Sequence, residues 1–183
     1  AIRQITLVVA NERLREGLEQ RVAERTEELA DLNRTTELTL ASVGEGIYGV
    51  DRDGVITFIN PAGARSLGLE PADLVGSHAH DRLHVWRNEN EPYPYTGCYI
   101  HEAITKGITV RSEEDLYRRT DGMEIPVEVT ASPVVDGGDV TGAVVVFRDV
   151  TQRREIDRIK SEFISVISHE LRTPLTSIKG SIG

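Results

Sequence analysis

Residues 41–76 read "ASVGEGIYGVDRDGVITFINPAGARSLGLEPADLVG". Two β-rich apolar runs, "GIYGV" and "VITFIN", flank the tight-turn signature "DRDG", so the stretch opens with a hairpin. Directly behind it, "PAGARSLG" and "PADLVG" each begin with Pro and end with Gly. Proline suits the first helical turn, where its missing N–H would have no partner anyway. Glycine suits the left-handed residue that ends a helix. Two short helices or helical turns therefore follow the hairpin.

Outward from that stretch the pattern continues. Residues 77–97 are polar with little periodicity, and "CYIHEAITKG" reads as one helix ended by Gly107. Three longer strands follow, "ITVRSEEDLYRR", "MEIPVEVTASPVV" and "TGAVVVFRDV", turned by "TDG" and "DGGD". Two strands, several helices and three strands specify an α+β layer pair: a five-stranded antiparallel sheet with helices on one face.

The flanks are helical. Residues 8–40 are charged, free of Pro, and free of Gly after Gly17. Leu14, Leu18, Val22, Leu29, Leu32 and Thr36 form a narrow seam of mean period near 3.5, with a stutter-like step at Leu14–Leu18–Val22. One-sided burial on a domain serves so narrow a stripe poorly, and a two-stranded parallel coil suits it better. After residue 151, Ile156, Ile159, Phe163, Ile167, Leu171, Leu175 and Ile178 recur every three or four residues as one long apolar stripe. The expected division is a coiled-coil helix at 1–40, a sensor domain at 41–151, and a linker helix leading into a further domain at 152–183.

Composition sets limits. The chain has 183 residues, 39% of them hydrophobic, enough for one ordinary domain with extensions. Its 30 acidic and 21 basic residues leave a formal charge of −9, which argues against a nucleic-acid-binding surface. Cys98 is the only cysteine, so no intrachain disulfide forms and a reducing, cytoplasmic setting fits. No apolar run reaches the ~18 residues that span a bilayer. The N-terminal "ITLVVA" fits either the tail of a membrane helix, which would attach a parent protein to the inner side of the cell membrane, or the start of the coil. A start without Met and an end inside a helical pattern read as an excised piece of a longer chain.

The quoted stretch resembles the opening of a PAS sensor domain. "EPYPYTGCYIHEAITKG" is similar to the middle of bacterial PAS domains, and "FRDVT" to the Asp-x-Thr ending of that family. The resemblance covers about residues 40–151 and implies that Asp149 and Thr151 couple the last strand to the following helix. The residues agree with that role. Thr151 is a good N-cap, its hydroxyl able to accept an orphan backbone N–H, and Arg153 and Arg154 are placed to reach carboxylates.

His169 stands two residues from Ile167 and two from Leu171. At ~100° per residue its imidazole points away from the apolar stripe, toward solvent or a partner. That geometry disfavours a buried core histidine and leaves an ordinary surface histidine or a functional one. Around it, "FISVISHELRTPLTSIKG" resembles the phosphoacceptor box of two-component sensor histidine kinases from Phe163 to Gly180. The resemblance implies that His169 receives the ATP γ-phosphoryl group and passes it to a response regulator. It implies Glu170 as the acid–base partner and Thr173 as the residue orienting the water that dephosphorylates the regulator. Arg172 is expected to contact carboxylate or phosphoryl charge. Pro174 removes one helical N–H, leaves the Glu170 carbonyl without its partner, and is expected to kink the helix as a switching hinge. A protein-histidine kinase using ATP and magnesium is implied for the full-length parent. This piece lacks the catalytic domain and is expected to be inactive alone.

Other motifs invite competing readings. His78, His80 and His84 fall within seven residues, with Cys98 and His101 further on. Haem-binding PAS domains use a histidine on the main helix, where His101 sits. The loop histidines lack the spacing of a zinc set, so no metal and no cofactor is assigned. "TGCYIH" lacks the Asn-Cys-Arg-type surroundings of a flavin-reactive cysteine, so Cys98 reads as a small core residue. A PAS ligand-binding dimerisation module is the alternative function, and a homodimer is expected under both.

Overall fold

A computed structural model of the chain describes residues 2–84, 86–88, 91–92 and 94–180. Side chains at 2–12, 14, 86–92, 114, 166 and 168–180 lie outside the description. The chain divides into two compact units, Ala1–Gly44 and Glu45–Gly183.

The first unit is one helix, α1 (Ile2–Ser42). Its surface carries same-face pairs such as Arg15–Glu19 at 3.3 Å and Arg25–Glu28 at 2.6 Å, each a modest local stabiliser. Leu18, Val22, Leu29 and Leu32 are 50–64% exposed. The seam seen in the sequence thus lies open along this helix.

The second unit holds a five-stranded antiparallel sheet in the order β2-β1-β7-β6-β5. Its strands are β1 (Gly46–Asp51), β2 (Ile56–Ile59), β5 (Val110–Arg118), β6 (Glu124–Asp136) and β7 (Asp139–Asp149). Asp51 makes the expected hairpin turn: its carboxylate accepts the N–H groups of Asp53 and Val55, and Gly54 takes φ +79°. Helices α2 (Pro61–Leu67), α3 (Pro71–Leu74), α4 (Ala79–Leu83) and α5 (Tyr99–Lys106) carry the chain from the β2 edge to the β5 edge. A small β3 (Trp86–Asn88) and β4 (Glu91–Pro92) pair and a 3₁₀ turn at Tyr95–Gly97 precede α5. Both Pro starts are as expected, and Gly107 ends α5 in the left-handed region at φ 64°.

Along β6, Ile125, Val127, Val129 and Ala131 are buried while the residues between them are partly exposed, as a half-covered strand requires. The core lies between that sheet face and the helices, with Leu67, Leu74, Leu83, Cys98 and Ala103 facing the sheet side chains. Full burial of each large aliphatic residue stabilises the fold by roughly 1.5–3 kcal/mol. Asn60 ties the layers together. Its carbonyl oxygen accepts from Ile47 N–H at 2.9 Å and Gly63 N–H at 2.8 Å, and its amide donates to Glu45 O at 2.9 Å. α2 thereby begins on β1.

After β7 the chain turns into α6 (Thr151–Gly180), helical without interruption through Pro174. The fold class and the five-strand sheet are those expected from the sequence.

Candidate functional site

Two regions of the second unit combine polar chemistry with a defined position: the interior beneath α4 and α5, and the junction between β7 and α6.

In the interior, five side chains from four elements or their ends form a hydrogen-bonded chain. Tyr48 (β1) meets Tyr117 (β5) hydroxyl to hydroxyl at 2.9 Å, and Tyr117 meets Tyr99 (α5) at 2.6 Å. The Tyr99 hydroxyl continues to Nε2 of His84, whose Nδ1 lies 3.3 Å from Cys98 Sγ. His84 follows the last residue of α4, and Cys98 precedes the first residue of α5. All five are essentially inaccessible to water. Desolvation pushes the His84 pKa down to about 3 from 6.5, with the neighbouring His80 acting in the same direction. It raises all three tyrosines and the Cys98 thiol. The whole chain is therefore uncharged near neutrality, and one His84 nitrogen donates while the other accepts. Buried polar groups this well paired hold their elements in one arrangement.

Around it stands a cluster of rings. Tyr95 packs edge-on to His80 at 5.4 Å and tilts against His78 at 5.6 Å and His101 at 4.6 Å. His80 and His84, four residues apart, sit one turn apart at 5.8 Å between centroids. One ligand-type atom each from His80, His84 and Cys98 lies within 4.8 Å of the others. By sequence alone these histidines fall in a polar stretch without regular spacing. The folded α4 gives them helical spacing instead, and the His80-x-x-x-His84 interval was the available signal. The tyrosine chain left no such signal, because its partners are 18 and 69 residues apart.

At the junction, Asp149 closes β7 and its carboxylate accepts the N–H of Thr151 at 2.8 Å. The residue types alone favour Thr151 as the N-cap. The helix instead starts at Thr151, and the capping oxygen comes from Asp149. An aspartate two residues upstream can bend its carboxylate onto the first free amide, as in an Asx turn. Val150 N–H donates to Pro126 O at 3.0 Å, anchoring the turn to β6. Arg153 reaches Glu128 of β6 at 2.9 Å, and Arg154 donates to Glu113 O of β5 at 3.4 Å, as expected for this pair of arginines. Arg148 forks onto Glu45. Glu45, Glu113, Glu128, Arg148 and Arg153 line a groove of about 390 Å³ along β5, β6 and β7. The first turn of α6 is thereby fastened to β7, β6 and β5, from the central strand of the sheet to one edge.

Further along α6, Ile156, Ile159, Phe163 and Ile167 are 39–65% exposed, an unburied stripe. The side chains of His169, Glu170, Arg172, Thr173 and Pro174 lie outside the described residues, so their roles and the kink rest on the sequence. Among the described residues, no helix is long and apolar enough to cross a membrane.

Comparison with known proteins accords with this geometry. Residues 40–155 match the family model of the PAS fold, and residues 159–183 match that of the His Kinase A (phospho-acceptor) domain. The chain belongs to the PAS-fold family. The phospho-acceptor match is a likeness of the segment 159–183, of which 159–180 lies within α6. The chain is 29% identical over 171 residues to the sensor protein kinase WalK of Staphylococcus epidermidis, with 91% of this chain and 25% of that protein aligned. It therefore spans about a quarter of that relative's length. Among solved structures, an RNA-binding light-oxygen-voltage receptor matches with a TM-score of 0.59 at 26% identity, covering 78% of this chain and 39% of the other. A PAS domain from Colwellia psychrerythraea matches with a TM-score of 0.54 at 18% identity, covering 66% and 98%.

Proposed function

We propose that this chain is the sensing and relay portion of a two-component sensor histidine kinase, divided as a coiled-coil helix at 1–40, a PAS sensor at 41–151 and a relay helix entering the phosphoacceptor domain at 152–183. The observation that carries the reading is α6, one helix that begins fastened to the sheet by Asp149, Arg153 and Arg154 and runs on through the phosphoacceptor motif. A change in the sensor core reaches the sheet, then the first turn of α6, and a helix transmits rotation or tilt along its length.

At the far end, His169 is the phosphoacceptor. An imidazole nitrogen attacks the γ-phosphorus of ATP, the bond to the bridging oxygen breaks, and ADP leaves. The imidazole proton passes to Glu170. ATP and magnesium are held by the catalytic domain of the parent kinase. The phosphoryl group then moves to a response regulator, and Thr173 orients the water that later removes it. Pro174 provides the hinge. Asp149 and Thr151 are the coupling pair. The working unit is a parallel homodimer on the cytoplasmic side, paired through the open seams of α1 and α6.

The test is phosphotransfer in trans. The chain, extended through the second helix of the phosphoacceptor domain, is mixed with ATP, magnesium and an isolated histidine-kinase catalytic domain. Acid-labile, base-stable label on His169 supports the reading, and a chain that takes no label contradicts it.

A further inference from the structure

We infer that His80, His84 and Cys98 form a binding site for a thiophilic divalent transition-metal ion, of which Zn²⁺ is the representative, beneath α4 and α5. The ligand set is two neutral imidazoles and the Cys98 sulfur, which binds as thiolate and releases its proton to solvent as the metal–sulfur bond forms; these are the donors that borderline-soft ions select over oxygen-rich sites. Bond lengths of ~2.0 Å to nitrogen and ~2.3 Å to sulfur place tetrahedral ligand atoms roughly 3.5 Å apart. His84 Nδ1 and Cys98 Sγ are already at 3.3 Å, and a ring nitrogen of His80 lies within 4.8 Å of the Cys98 sulfur and of a ring nitrogen of His84.

The surroundings add two features that chance packing of three residues would not supply. Metal-bound histidines present their second ring nitrogen to a fixed partner, which sets the tautomer and the ring orientation. Here Nε2 of His84 faces the Tyr99 hydroxyl, and Tyr99 is itself held by Tyr117. The nitrogen left toward the thiol is therefore the one a metal would use. The burial is also graded. His84 and Cys98 are closed off from water, whereas His80 is half-buried under the Tyr95 ring. An ion would enter from the His80 side and keep one position for water or a further donor, as three-ligand sites do.

Such an ion would join the end of α4 to the start of α5 across the 14 residues that separate His84 from Cys98. Its occupancy would bear on Tyr99 and, through Tyr117 and Tyr48, on β5 and β1. A site for a metal signal would then lie inside the sensor fold itself. This inference is independent of the phosphotransfer assignment and is tested without it.

The test uses the untagged chain, stripped with a chelator and titrated with Zn²⁺ against a chromophoric competitor, then loaded with Co²⁺ as a spectroscopic probe. One equivalent bound and a thiolate-to-Co²⁺ charge-transfer band are expected. Cys98→Ser should abolish the band. His80→Gln, at a half-buried position that tolerates replacement, should weaken Zn²⁺ binding by more than the ~10–100-fold that an outer partner is worth. Tyr99→Phe should weaken it within that range. Circular dichroism of each variant verifies that it is folded. Absence of stoichiometric binding in the native chain, a Co²⁺ spectrum without the thiolate band, or an affinity unchanged in folded His80→Gln would overturn the site.

Discussion

The carboxylate of Asp149, last residue of β7, accepts the backbone N–H of Thr151, first residue of α6, at 2.8 Å. Sheet and output helix are joined there by a single short turn. Removing the acceptor by Asp149→Ala should cost about 1 kcal/mol, as loss of a cap does, and lower the melting temperature by about 3–5 °C. Asp149→Asn keeps an acceptor oxygen and should retain most of that stability. In a full-length parent kinase, Asp149→Ala should also change autophosphorylation more than Arg153→Ala, because it removes the contact that sets the turn between β7 and α6, whereas an exposed ion pair such as Arg153–Glu128 is typically worth ~0.2–1 kcal/mol. Equal melting of native and Asp149→Ala protein would show that the contact does not hold the junction.

The interior chain makes a graded prediction. Tyr99→Phe deletes a hydroxyl that serves both Tyr117 and His84, and leaves buried partners unmatched. It should destabilise by about 1–3 kcal/mol. Tyr48→Phe removes a hydroxyl bonded to Tyr117, which keeps its bond to Tyr99, and should cost less. Urea titration of both variants decides this, and a larger loss for Tyr48→Phe would contradict the chain as described.

How much of this was legible beforehand follows from where each interaction lies along the chain. The hairpin, the two Pro-to-Gly helices, the end of α5 at Gly107 and the five strands are local features, written in spacings of two to ten residues. The identity of residues 163–180 came from one contiguous string. Asn60 could have been suspected as a cap before Pro61, yet its bonds to Ile47 and Glu45 are 13 and 15 residues back. Tyr48, Tyr99 and Tyr117 look like ordinary core aromatics until the sheet brings them together. The cap at the junction comes from Asp149, two residues before Thr151; Asp and Thr both favour that role, and only the backbone path shows which oxygen reaches the amide.

The exposed seam of α1 should pair with a second copy. Leu29→Glu with Leu32→Glu places like charges at adjacent seam positions, so sedimentation should shift from dimer toward monomer. A native chain that sediments as a monomer at every concentration would remove the homodimer.

Relay through α6 depends on helical phase. One residue inserted next to Arg158, between its partners Glu155 and Glu162, rotates everything downstream by about 100°. Autophosphorylation of the full-length parent should change sharply, while a seven-residue insertion should restore it. Unchanged activity after the single insertion would make α6 a passive tether.

Mapping the phosphorylated residue is the most direct test of the central claim. The chain, extended through the second helix of the phosphoacceptor domain, is incubated with ATP, magnesium and a catalytic domain supplied in trans, and the label is located by mass spectrometry at neutral pH. His169 alone should carry it. His169→Gln should abolish it with dimer and fold intact, and Glu170→Gln should slow it. Label that persists in His169→Gln, or that maps to His78, His80, His84 or His101, would contradict the assignment of this chain as the relay of a histidine kinase.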